Sequence, residues 1–121
     1  MSAEINFEVD GAMPEVQPQV IWNVVQNSKG KPLGFELIDV RQPDEFTGEL
    51  GHIPGAKLVT LGPDLMAYLK TLKAAEKVVF VCRSGGRSGQ ATMLARQMGL
   101  HRCLNMTGGM LRWNELGYQT S

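Results

Sequence analysis

Residues 77–88 read Lys77-Val78-Val79-Phe80-Val81-Cys82-Arg83-Ser84-Gly85-Gly86-Arg87-Ser88. An apolar, β-prone run stops at Cys82, and a short basic stretch with two glycines follows. That change predicts a strand, a tight loop and the start of a helix. A cysteine so placed sits at the carboxyl end of a buried strand, beside unused backbone N–H groups and two arginines, conditions that lower a thiol pKa. Cys82 is therefore read as a thiolate nucleophile.

The pattern on either side predicts an α/β fold. Upstream, Val20, Ile21, Val24 and Val25 recur at helical spacing, with Pro18 in the first turn and Ser28-Lys29-Gly30 as the stop. Phe35-Glu36-Leu37-Ile38 reads as a strand and Pro43-Asp44-Glu45-Phe46 as one helical turn. A rigid turn over residues 51–56 leads to a brief strand, Lys57-Leu58-Val59, and Pro63 opens a helix carrying Leu65, Met66, Leu69 and Leu72. Downstream, a helix from Ser88 to Met98 turns Ala91, Leu94, Ala95 and Met98 inward and ends at Gly99. Arg102-Cys103-Leu104-Asn105 gives a last strand, Gly108-Gly109 a turn, and Met110 to Leu116 a final helix bearing Trp113. Short strands alternating with helices predict a small parallel sheet of about five strands covered by helices on both sides. In such sheets ligands bind beyond the carboxyl ends of the strands, where Cys82 falls.

At 121 residues and 43% hydrophobic, the chain fits one compact domain over residues 16–121. Residues 1–15 show no clear period and read as an arm or an edge strand. Two cysteines are few for a disulfide framework, and neither a basic-then-apolar leader at Met1 nor a long apolar span is visible, so a reducing cytoplasm is expected and no membrane partner. Net charge is zero but unevenly placed. Residues 1–76 hold eleven acids against six bases, whereas residues 77–114 hold no acid and six bases: Lys77, Arg83, Arg87, Arg96, Arg102 and Arg112. A positive setting around the loop suits a small anion, provided the segregation survives folding. The bases are dispersed and lack interleaved aromatics, so no nucleic-acid partner is expected.

Taken together, Leu37-Ile38-Asp39-Val40-Arg41, Glu45-Phe46, Gly51-His52-Ile53-Pro54-Gly55-Ala56, the loop from Cys82 to Ser88, Gly108-Gly109, Trp113 and Gly117-Tyr118 form an ordered set. In these landmarks the chain resembles a single-domain rhodanese, a sulfurtransferase. The loop between Phe46 and His52 is longer than the family often has, a change expected at the surface only.

The resemblance implies that Cys82 attacks the sulfane sulfur of a donor such as thiosulfate or polysulfide, that sulfite leaves, and that the persulfide passes its sulfur to cyanide or a thiol, including one on a sulfur-relay protein. Read by its residues, the loop wraps six positions around one sulfur. Gly85 and Gly86 tolerate the φ values that let N–H groups converge as an anion nest, and the dipole of the following helix adds to it. Arg83 and Arg87 are expected to orient an anionic donor, Ser84 and Ser88 to offer hydroxyls, and the glycines to offer N–H groups. An ionised nucleophile and a good leaving group need no histidine base, metal or cofactor, consistent with two histidines and no ligand cluster.

Each assignment has a plainer competitor. Cys103, inside a predicted strand, reads as core filler. Asp39 and Arg41 read as structural, through a pair such as Arg41 with Glu45. His52 reads as a hydrogen-bonding turn residue, Ser88 as a helix cap that can also face the sulfur, and Met66, Met93, Met98 and Met110 as packing residues. Two further functions stay open. A phosphatase or arsenate reductase uses a related cysteine-and-arginine cradle, but with a loop one residue longer than the four residues between Cys82 and Arg87. A non-enzymatic rhodanese-like docking or sensing module is the other, and such modules often lack the cysteine. Oligomeric state, monomer or homodimer, is not readable.

Overall fold

The computed structural model describes residues 5–8 and 14–121. The apolar runs become five strands: β1 (Glu15–Val16), β2 (Glu36–Asp39), β3 (Lys57–Leu58), β4 (Val78–Val81) and β5 (Cys103–Met106). They form one sheet in the order β1-β5-β4-β2-β3, every neighbouring pair parallel. The helices are α1 (Pro18–Ser28), α2 (Pro43–Phe46), α3 (Pro63–Leu69), α4 (Gly86–Gln97) and α5 (Gly109–Glu115). The expected α/β fold with a five-stranded parallel sheet is the one observed.

Strand β4 sits at the centre because all four of its side chains are fully buried, and burying each contributes about 1.5–3 kcal/mol. Its pleat splits the core. Val79 and Val81 join Ile21, Val25, Met110 and Trp113, the face covered by α1 and α5. Val78, Phe80 and Cys82 join Leu65, Leu69, Ala91 and Ala95, the face covered by α3 and α4. A run without polar residues is what two covered faces demand.

Most element boundaries differ from expectation by one or two residues, α3 ends at Leu69 and leaves the expected Leu72 three residues beyond it, and three placements differ in kind. The N-terminal stretch contributes Phe7, 7% exposed and 5.7 Å from the Phe35 ring, and Glu8, which pairs with Arg102 at 2.6 Å. The rest of the predicted arm before Pro14, residues 1–4 and 9–13, lies outside the described residues. Met93 and Met98 do not pack: they are 47% and 37% exposed. Only Ala91 and Ala95 of the expected α4 stripe are fully buried, and Met98 lies past the last helical residue, where the backbone no longer holds it on that face. Met110 is buried as expected and Met66 half-buried.

Candidate active site

Cys82 lies one residue beyond β4, and Gly86 opens α4, so the loop between them is only three residues long. Gly85 makes the turn possible with φ 108°, a left-handed value that side chains disfavour. Gly86 has no such value and is simply the first helical residue, so of the two glycines expected to bend the chain only one does. The result folds the loop back over its own sulfur. The Gly85 N–H donates to Cys82 Sγ at 3.1 Å and the Ser88 hydroxyl lies 3.2 Å from it. Burial pushes the thiol pKa up, but the Ser88 hydroxyl and the backbone N–H groups of Ser88, Gly85 and Ser84 outweigh it and leave Cys82 below the ordinary thiol value.

A second helix braces the same loop from behind. The N–H groups of Met110 and Leu111, in the first turn of α5, donate to the carbonyls of Cys82 and Arg83 at 2.9 and 3.0 Å. Gly109 permits this approach: a Cβ there would stand 2.5 Å from the Cys82 carbonyl oxygen. The amides of α5 thus hold the carbonyl side of the loop, and the loop's own amides turn toward the sulfur.

The expected site residues separate into two groups. Cys82, Gly85 and Ser88 converge, with the Ser84 amide beside them. The side chains of Arg83 and Ser84 are exposed at the rim, as is Gly86. Arg87 stands apart from the expectation, because its guanidinium is engaged by Glu45 of α2 through two parallel hydrogen bonds. The expected pairing of Arg41 with the Glu45 carboxylate is therefore corrected. Arg41, 1% exposed, binds Asp39 through Nε (2.9 Å) and Nη2 (2.7 Å) and reaches the backbone carbonyls of Glu45 and Gly51. A buried guanidinium needs the nearest buried carboxylate, and Asp39, two residues away, is that group. The structural reading of Asp39 and Arg41 stands, with a different partner.

Folding also undoes part of the charge segregation, since Arg87 and Arg102 each meet an acid from the first half of the chain. His52 stacks on Phe46, centroids 3.8 Å apart, with Nδ1 3.0 Å from the Phe46 carbonyl, as suits a turn residue. Cys103 is fully buried, and burial pushes its thiol up to about 12. One neighbour of the sulfur went unnoticed in the sequence. Asn105, on β5, accepts the Ser88 hydroxyl at 2.6 Å and donates to the Gly85 carbonyl at 3.2 Å. Its signal is a polar residue inside an otherwise apolar strand. A cleft of about 880 Å³ bordered by Trp22, Phe35, Glu36, Lys57 and Lys77 lies at the opposite edge, where β2, β3 and β4 begin. It contains no residue of the Cys82 loop.

Residues 23–116 match the Rhodanese-like domain. With the site in place at the carboxyl edge of its sheet, the chain belongs to the rhodanese-like domain family. It is 36% identical over 78 residues to the uncharacterized protein YqhL of Bacillus subtilis, covering 64% of this chain and 60% of that one. It is 36% identical over 86 residues to a sulfurtransferase of Allochromatium vinosum, covering 67% and 73%. Among solved structures, the human single-domain sulfurtransferase TSTD1 superposes with a TM-score of 0.63 at 28% identity, covering 87% of this chain and 97% of that one. A rhodanese-related protein of Thermoplasma volcanium shares the fold, with a TM-score of 0.70 at 24% identity over 87% of this chain and 94% of that one. The chain spans less than two thirds of the length of several curated relatives, 60% of YqhL and 45% of slr1261 of Synechocystis.

Proposed function

We propose that the protein is a sulfurtransferase that carries sulfane sulfur as a persulfide on Cys82. The observation that carries this reading is the closure of the loop on the sulfur itself, with Gly85 N–H and Ser88 Oγ at 3.1 and 3.2 Å. The amides already reach Sγ, so the ring is sized for sulfur, which favours sulfur transfer over handling of a tetrahedral phosphate. The sulfurtransferase relatives support the same choice.

In the first step the Cys82 thiolate attacks the outer sulfur of thiosulfate. A Cys–S bond to that sulfur forms, the sulfur–sulfur bond to the sulfonate breaks, and sulfite leaves with the bonding pair. The charge that was on Sγ resides on the outer sulfur of Cys82–S–S⁻, where the convergent N–H groups stabilise it. In the second step cyanide or a thiolate attacks that outer sulfur and regenerates the Cys82 thiolate. No step consumes a proton at the enzyme, so neither a histidine base nor a metal or organic cofactor has a task.

Only 1% of Cys82 is exposed, so the donor must be a small ion or a persulfide or polysulfide presented on a thin chain. Arg83, Ser84 and Gly86 at the rim meet it first. Arg87 acts at one remove: held by Glu45, it anchors the first turn of α4 and so shapes the loop rather than contacting the donor. Cys82 and Cys103 are both free thiols, which suits a reducing, cytoplasmic setting. Among the described residues no helix is long and apolar enough to cross a membrane.

Intact-mass measurement under non-reducing conditions tests the reading. Incubation with thiosulfate adds the mass of one sulfur atom to the native protein and nothing to Cys82→Ala. A native protein that gains no sulfur, or a variant that gains it equally, refutes the proposal.

A further inference from the structure

The Ser88 hydroxyl has two claimants. Its Oγ lies 2.6 Å from Asn105 Oδ1 and 3.2 Å from Cys82 Sγ, and a hydroxyl carries one proton. The Asn105 amide cannot turn over to relieve the competition. Its Nδ2 donates to the Gly85 carbonyl at 3.2 Å, and a flip would set two oxygens against each other there. Oδ1 is therefore fixed toward Ser88. All three side chains are buried: Cys82 is 1%, Ser88 0% and Asn105 7% exposed.

Two hydrogen-bond states follow. With Cys82 as a thiol, S–H donates to a lone pair of Ser88 Oγ, the Ser88 O–H donates to Asn105, and every partner is satisfied. With Cys82 as a thiolate, the sulfur accepts only, so Ser88 turns its proton to Sγ and Asn105 Oδ1 loses its donor. A buried acceptor left without a donor costs free energy, and that cost falls on the thiolate state alone.

We propose that Asn105 is a positioning residue that sets the ionisation of Cys82 through Ser88, by competing with the sulfur for the single hydroxyl proton. The competition holds the thiol above the value that the loop N–H groups and an uncontested Ser88 hydroxyl would together give it. A thiolate of very low pKa is a poor nucleophile, and the best attacking thiol titrates near ambient pH, so the restraint favours reactivity. Under the sulfurtransferase reading, on which this last step rests, the proton also follows the charge. Staying on Ser88 Oγ, it is donated to Sγ before attack and turns back to Asn105 Oδ1 once the negative charge has moved to the outer sulfur.

The ionised neighbours do not supply this effect. Arg87 of α4 is held by Glu45 of α2, Arg41 by Asp39 at the end of β2, Arg83 is on the loop and exposed, and Arg112 is on α5. Asn105 is uncharged, and its replacement by an apolar residue alters none of these charges.

The test is a double-mutant cycle read by the pH dependence of iodoacetamide alkylation at Cys82, which requires no sulfur donor and so stands apart from the test of sulfur transfer. Asn105→Leu releases the Ser88 proton and lowers the Cys82 midpoint by about one pH unit, the scale of one hydrogen bond to a charged group. Ser88→Ala raises it. In the Ser88→Ala background, Asn105→Leu shifts it by less than a third as much. Asn105→Val, smaller and suited to a strand, gives the same readout if the leucine variant does not fold. An unchanged or raised midpoint in both apolar variants overturns the proposal. So does an equal shift with and without Ser88, which assigns Asn105 to the Gly85 carbonyl instead.

Discussion

Glu45 and Arg87 meet in a two-pronged ion pair, Nη1 to Oε1 at 2.7 Å and Nη2 to Oε2 at 2.8 Å, across 42 residues of sequence. The pair ties α2 to the first turn of α4 and so fixes one wall of the loop around Cys82. Its geometry is the bidentate form that arginine makes best and lysine cannot reproduce.

That pairing carries a pH signature. Hydrogen bonding to Arg87 holds the Glu45 carboxyl down, from 4.5 to about 2, against an opposing effect of burial. A carboxyl lowered on folding stabilises the native state above its unfolded pKa, and the contribution disappears as pH falls through the folded value. Between pH 5 and pH 2 the native protein therefore loses more stability than Glu45→Gln does, by about 1 kcal/mol for so partly exposed a pair. Urea unfolding of both proteins at pH 7, 4 and 2 measures the difference, and parallel curves refute it.

The brace behind the loop predicts a large effect at Gly109. An alanine there places its Cβ against the Cys82 and Arg83 carbonyls at a φ of 57°, and no side-chain rotation relieves a clash with backbone. Gly109→Ala is expected to cost about 2–4 kcal/mol, from strain and overpacking. Denaturant unfolding gives the figure; a loss under about 1 kcal/mol means that α5 can retreat without disturbing the loop.

Arg41 predicts a second structural dependence. Removing one member of a buried ion pair leaves the other charged and unpartnered, at a cost of about 3–5 kcal/mol. Arg41→Ala also orphans the carbonyls of Glu45 and Gly51 that the guanidinium serves. Thermal and urea unfolding show the loss; near-native stability in Arg41→Ala or Asp39→Ala contradicts a structural assignment.

The two cysteines respond differently to a small alkylating reagent. Cys82, lowered by its hydrogen bonds, reacts in the native protein with a midpoint below the ordinary value of about 8.5. Cys103, fully buried and raised to about 12, reacts only after unfolding. Peptide mapping after brief iodoacetamide treatment at pH 7 distinguishes them, and comparable labelling of both in the native state contradicts the assignment.

What could be read in advance follows the range of the interactions. The strand ending at Cys82, the tight loop and the alternation of strands and helices are set by residues close in sequence, and they are found within one or two positions. The choice of ion-pair partner is not local. Arg41, Arg87, Asp39 and Glu45 all lie within reach of one another, and which acid takes which base depends on burial that no spacing reveals. Asn105 was hidden for the opposite reason: its strand was recognised, but its side chain matters only because β5 lies beside β4. Met93 and Met98 show how weak a guide hydrophobicity is on a helix whose inward stripe is made of small residues.

The two amide bonds from Met110 and Leu111 have a temporal meaning. They join residues that leave the ribosome 28 positions apart, so a nascent chain that has only reached Gly108 possesses its reactive sulfur but lacks the element that fixes the carbonyl side of the loop. Completion of the site waits for the last helix, and a growing chain presents Cys82 before its cradle is locked.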